Sequence, residues 1–301
     1  MSLVTVAPAL FVLIWSTGWI VAKYAAAYAD PLFFLVIRFA CAFVLTAMIA
    51  LAFRAQWPKT RLAYGHGMLS GVLLHAIYLG GVWWAVARGL PVGISALIAA
   101  IQPLMTAALS ARLAGERIGA LQITGIVIGF FGVMGVIAPK LAGLSVGALE
   151  SLAGPVLINV IGMVGVTLGT FYQKRYIASG DLRVVSSLQY AGAFLFLLPF
   201  ALLLEPLRFE NRWETWAALA WSVIPLSLGA IGLMLMMIRR GAVSKVAALI
   251  YLIPPTAAIE AYLMFGETLT VLQIGFMVLT AFGVYLATRS ARPAREQARN
   301  S

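Results

Sequence analysis

Charge is scarce in this 301-residue sequence: Asp, Glu, Lys and Arg together make up 10%, against roughly 25% in soluble globular proteins. A soluble fold of this length would lack the polar surface to cover itself. Cysteine occurs once, as Cys41 inside an apolar run, which excludes an intramolecular disulfide. Histidine occurs twice, and no carboxylate stands near His75 in the chain. That leaves little material for a metal centre or a nucleophile with its base. No catalytic residue, metal or cofactor is expected, and the chain is not expected to be an enzyme. Met1 to Ala22 contains no Lys or Arg, so the basic start of a cleavable signal peptide is missing and the first apolar run is expected to stay. No polar break is long enough to hold a soluble domain.

What the chain has instead is apolar length. Hydrophobic residues make up 62%, gathered in runs of about 20, which as helices cross the hydrocarbon core of a bilayer. The spans are expected near 7–26, 31–53, 65–87, 93–113 and 118–137, then 151–173, 184–204, 216–238, 243–264 and 268–287. The fold class is therefore all-α integral membrane with ten transmembrane helices. The net charge of +11 would suggest nucleic acid in a soluble protein, but here the basic residues sit in short loops and the tail. Alternating the ten spans puts fifteen of the 21 Lys and Arg on one side, including Arg54, Lys59, Arg61, Lys174 and Arg175, and five on the other. Arg38 lies within a span. By the positive-inside bias both termini are expected in the cytoplasm, in a multi-pass cell (inner) membrane, with the lipid bilayer as partner and no nucleic acid.

The chain also repeats itself. A displacement of 151 residues lays Pro103 on Pro254, Gly115-Glu116 on Gly266-Glu267 and Leu121-Gln122-Ile123 on Leu272-Gln273-Ile274. It also lays Phe131-Gly132-Val133 on Phe282-Gly283-Val284 and Arg88 on Arg239. Gapless matches of Pro, Gly-Glu and Gln are not a by-product of apolar composition. The expected division is 1–140 and 141–288 as two five-helix repeats, with 289–301 as a basic cytoplasmic tail. Five is odd, so the second repeat enters the membrane from the opposite side. Inverted repeats of this kind build many secondary transporters, whose halves rock around a midplane site.

Several stretches resemble the drug/metabolite transporter superfamily, and its EamA-type exporters in particular. They are Leu13-Ile-Trp-Ser-Thr-Gly-Trp-Ile-Val-Ala-Lys23, Arg38-Phe39, and Ala85-Val-Ala-Arg-Gly-Leu-Pro-Val-Gly-Ile-Ser95. Gln102-Pro103, Ala114-Gly-Glu-Arg-Ile118, Thr170-Phe-Tyr-Gln-Lys-Arg175 and Phe265-Gly-Glu-Thr-Leu269 belong with them. The resemblance implies a ten-helix fold with a cavity between the halves, exporting amino acids or other small metabolites. Ile253 stands where the first repeat has Gln102, so the two half-sites are not chemically alike.

Polar groups at membrane depth are costly and mark candidate sites. Gln102 shares a helix face with Ser95, Ala99 and Thr106 and precedes a proline, which frees a backbone carbonyl nearby. His75 and Tyr78 share a face of the third span, Trp15 lies deep in the first, Asn159 lies in the sixth, and Tyr251 precedes Pro254-Pro255. These six, Trp15, His75, Tyr78, Gln102, Asn159 and Tyr251, are the candidate substrate-binding residues. For each, interhelical packing or an interfacial anchor is the competing role. Lys23 is expected to snorkel to the interface, Glu260 to be solvated, and Arg38 to act as a structural clamp rather than a ligand contact. The function expected is export of a small-molecule substrate, an amino acid or related metabolite, by alternating access. An intramembrane enzyme and a non-transporting assembly subunit are the alternatives. Cargo, coupling ion and oligomeric state are not readable.

Overall fold

A chain in lipid must satisfy its backbone polar groups internally, and long apolar runs do so as helices. The computed structural model describes residues 3–102, 104–106, 109, 119–142, 146–177, 180–230, 233 and 252–289. Ten helices run through them: α1 Leu3–Ala26, α2 Pro31–Ala52, α3 Arg61–Ala87, α4 Val92–Ala99, α5 Ala120–Ala142, α6 Val146–Tyr176, α7 Leu182–Leu204, α8 Trp213–Trp221, α9 Ile253–Phe265 and α10 Val271–Arg289. Helices α1, α2, α3, α6 and α7 are long and apolar enough to cross a bilayer within the described residues. The chain is an all-α integral membrane protein of ten helices in two inverted repeats. Residues 110–118, 231–232 and 234–251, with parts of four expected spans, lie outside the described residues.

Side-chain distribution is that of a body solvated by lipid. Leu203, Trp213, Leu263 and Val271 are exposed, whereas Ser16, Arg38, Ser95, Asn159, Gln189 and Gln273 are buried. Large apolar side chains cover the outside as well as filling the core, and these polar ones are turned inward. Cys41 is exposed on α2.

Helix ends explain where the runs stop. Helix α2 starts with Pro31 in its first turn, where the missing N–H costs nothing. Asp30 precedes it but makes no side-chain cap. Instead Glu205, just past α7, accepts from the N–H groups of Leu32 (3.0 Å) and Phe33 (2.8 Å). Burial raises the Glu205 pKa above the ordinary carboxylate value, against the lowering pull of those two bonds. Helix α9 ends at Gly266, whose φ of +67° is the left-handed stop that glycine adopts freely.

Helices pack as the repeat predicts. Each of α2–α7, α4–α9 and α5–α10 joins a helix to its own counterpart in the other half. Crossed pairs obey the same rule: α1 packs on α9 as α6 packs on α4, and α3 on α6 as α8 on α1. Such a pattern, unchanged when the halves are exchanged, is a pseudo-twofold arrangement. The close seams run through glycine. A β-carbon on Gly81 of α3 would stand 2.7 Å from the Ile158 carbonyl oxygen of α6.

Candidate functional site

The halves meet around a buried polar and aromatic cluster. Within α3, Val72–Ile77 loosens from α-helical to π-helical winding, and Ser222–Ala230 does the same as α8 continues past Trp221. The 151-residue displacement carries the first stretch into the second. Pro225 removes one α-helical hydrogen bond in α8; α3 winds the same way with no proline there. Widened turns of this type are common at functional sites because they free carbonyls and re-aim side chains. His75 projects from one of them and Ser227 from the other.

Arg38 and Gln189 occupy equivalent places, each seven residues inside its helix, ~10 Å along α2 and α7 from opposite ends. Arg38 is 6% exposed. Its Nη2 donates to Ser227 Oγ at 3.2 Å, its carbon Cζ lies 5.7 Å from the Trp83 ring centroid, and its Nε has no partner. Tyr78 and Tyr190 flank it. Tyr190 donates from its hydroxyl to the Ser227 carbonyl at 3.4 Å, and Ser227 Oγ donates to the Ser222 carbonyl at 2.9 Å. On the other side of the axis, Gln189 Nε2 donates to Ser70 Oγ (3.0 Å) and Gln173 Oε1 (3.1 Å), and its side chain lies within reach of His75. His75 stacks on Tyr190 at 4.8 Å between centroids, and Phe39 stacks on Tyr190 at 6.2 Å. Phe39 and Tyr190 are themselves equivalent by the displacement, so this pair sits on the pseudo-axis.

Of the six candidate residues, His75 and Tyr78 are brought together at this cluster. Asn159 is fully buried on α6, its Nδ2 donating to Ser95 Oγ of α4 at 2.7 Å while its Oδ1 has no partner. Trp15 packs at 5.3 Å on Phe11 and against the small group around Ala7 and Ala230. Gln102 is half-buried, and its carbonyl accepts from Thr106. Among the described residues no hydrogen bond or ring contact links Trp15, Gln102 or Asn159 to Arg38. Tyr251 lies outside the described residues. Arg38 and its partners Ser227 and Tyr190 were not among the six. A cation two turns inside a span was the signal for the first; nothing in the sequence marked Ser227.

Two expectations about charged groups are corrected. Lys23 does not simply snorkel: its Nζ donates to Glu267 Oε1 at 2.6 Å and lies 4.7 Å from the Phe265 ring centroid. The same carboxylate accepts from the N–H groups of Val92 (3.2 Å) and Gly93 (3.4 Å), so the α9–α10 turn of the second half caps α4 of the first. An anion at a helix N-terminus satisfies orphan donors and complements the dipole. Beside it Lys23, Leu90, Pro91, Glu267 and Thr268 line a cleft of about 370 Å³. Glu260 is not freely solvated either. Its Oε1 accepts from Ser16 Oγ at 2.8 Å and its Oε2 is enclosed without a partner. Among the described residues no three His, Cys, Asp or Glu side chains could hold a metal ion.

Comparison with known proteins gives the same organisation. The model of the EamA-like transporter family matches twice, over residues 4–138 and 153–289. The "Uncharacterized transporter YvbV" of Bacillus subtilis is 25% identical over 308 aligned residues, covering 96% of this chain and 93% of that one. A Salmonella typhimurium protein named "Probable amino-acid metabolite efflux pump" is 26% identical over 288 residues, 92% of each chain. A solved crystal structure with 20% identity superposes with a TM-score of 0.66 over 96% of this chain and 97% of its own. That likeness concerns the fold alone.

Proposed function

The chain belongs to the EamA-like transporter family, and we propose that it exports amino acids and related small metabolites by alternating access around a central cavity between its two repeats. As a member of that family it is a multi-pass membrane transporter of small solutes, not an enzyme. Amino acids are favoured as cargo by the name of the Salmonella typhimurium relative. The observation that carries the mechanism is the exchange-invariant helix packing around the Arg38, His75, Tyr78 and Tyr190 cluster. Halves packed this way can rock about a fixed midplane site.

The site is assigned to Trp15, His75, Tyr78, Gln102, Asn159 and Tyr251, with polar tips orienting the solute and apolar walls tolerating different side chains. The repeats are taken as 1–140 and 141–288, with 289–301 a basic tail held near anionic lipid. The membrane is the inner membrane, and both termini face the cytoplasm, as the basic loops favour.

The test is uptake of radiolabelled amino acids by purified protein in liposomes, with and without a pH gradient. Saturable uptake supports the reading, and dependence on the gradient would add a coupling proton. Folded protein that moves no amino acid in either condition would overturn the cargo assignment.

A further inference from the structure

A guanidinium held away from water needs a negative partner, because uncompensated charge inside a protein costs several kcal/mol. Arg38 has none among the described residues. It is also the one buried cation among them. Seven of the ten carboxylates in the sequence have described side chains, and all seven are engaged elsewhere. Asp30, Glu210 and Glu214 pair with Arg208 and Arg212, and Asp181 with Arg183. Glu205 caps α2, Glu260 holds Ser16, and Glu267 holds Lys23 and α4. What surrounds Arg38 is neutral: Trp83, Tyr78, Tyr190 and a serine hydroxyl. Its Nε, fully enclosed, donates to nothing.

We infer that Arg38 is the anchor for a carboxylate of the cargo, so that the transported solute is a small organic acid or the acid end of an amino acid. This deepens the transport reading and rests on it. A guanidinium presents parallel N–H groups that match a carboxylate's two oxygens. The unpartnered Nε supplies one of them. One guanidinium with no second buried cation among the described residues neutralises one negative charge, which suits a carboxylate and leaves a phosphate dianion in excess. His75, Tyr78 and Tyr190 then offer ring faces and hydroxyls to the rest of the solute.

The experiment is thermal unfolding of the purified full-length protein with a panel of L-leucine, L-leucinamide and 4-methyl-2-oxopentanoate, since a ligand that binds the folded state raises Tm. The two acids are expected to raise Tm, while the amide needs about tenfold more for the same shift. In Arg38→Gln the shift by the acids disappears, while the unliganded Tm is retained or rises because a buried charge is gone. Should Arg38→Gln fail to fold, Arg38→Lys keeps the charge without the planar edge, and the acids are expected to bind it about tenfold more weakly. Stabilisation by leucinamide equal to that by leucine would overturn the inference and leave amino-acid transport standing. Stabilisation by the oxo acid without leucine would uphold the anchor and remove amino acids as cargo. No shift with either acid would overturn the anchor.

Discussion

Replacing Gly81 by alanine tests whether the α3–α6 seam is as close as the packing indicates. The new β-carbon would stand 2.7 Å from the Ile158 carbonyl oxygen and 3.3 Å from the Gly162 Cα. Both neighbours are backbone, so no side chain can rotate away. Ordinary contact begins near 3.4 Å, and the helices must part by about 0.7 Å. Helix α6 is not free to retreat, since Asn159, beside Ile158, is bonded to Ser95 of α4. Overpacking of this kind costs about 1–3 kcal/mol. Alanine outranks glycine inside a helix by about 1 kcal/mol, which hides part of the cost. Gly275→Ala on α10, where a β-carbon meets nothing within 4 Å, carries the same propensity gain and no clash. The two variants are therefore expected to differ by about 2 kcal/mol. Denaturant or thermal unfolding of both proteins in the same bicelles measures the difference. Equal stability would refute the claim that backbone contact at Gly81 fixes the helix spacing.

Other outcomes follow from single contacts. Glu267→Ala is expected to destabilise by about 1–2 kcal/mol through loss of the α4 cap, and Lys23→Gln by less than about 1 kcal/mol because that pair is partly exposed; a larger loss in Lys23→Gln by thermal unfolding would reverse their ranking. For Glu205 the folded pKa lies above the unfolded value, so the folded state holds extra proton as pH climbs past the ordinary carboxylate range and stability falls over that interval. Tm measured from acid to neutral pH should decline less in Glu205→Gln than in the parent protein, and an unchanged slope would count against it. Single cysteines at Lys59 and Glu210 in a Cys41→Ser background should differ in labelling by an impermeant maleimide in intact cells. Labelling at 210 and not at 59 is expected; the reverse would invert the orientation.

Much of the architecture was open to reading because it is periodic. Runs of apolar residues set the helices, and the ends found for α2 and α7 lie within two residues of those expected. The Gly-Glu turn exposed the repeat. The site was harder, since its bonds join residues far apart in the chain: Arg38 to Ser227, Asn159 to Ser95, Glu267 to Val92. Composition ranks such residues only as costly to bury. It cannot say whether the cost is met by another helix, as for Asn159 Nδ2, or left open, as for Arg38 Nε. The π-helical stretch of α3 carries no proline to announce it, so the aim of His75 was not legible either.

The pairing of helices with their own counterparts bears on how such a gene can change. A free half-chain able to insert in both senses would carry every surface needed for the α2–α7, α4–α9 and α5–α10 contacts. It could not, however, carry Arg38 on one side of the axis and Gln189 on the other. Two identical copies would bring two guanidinium groups towards the axis where Phe39 and Tyr190 now meet, each repelling the other in a medium with little screening. Joining the halves in one polypeptide lifts that restriction, because each position then mutates alone. A single positive charge beside a symmetry axis needs two halves of different sequence, and a fused chain encodes both at once.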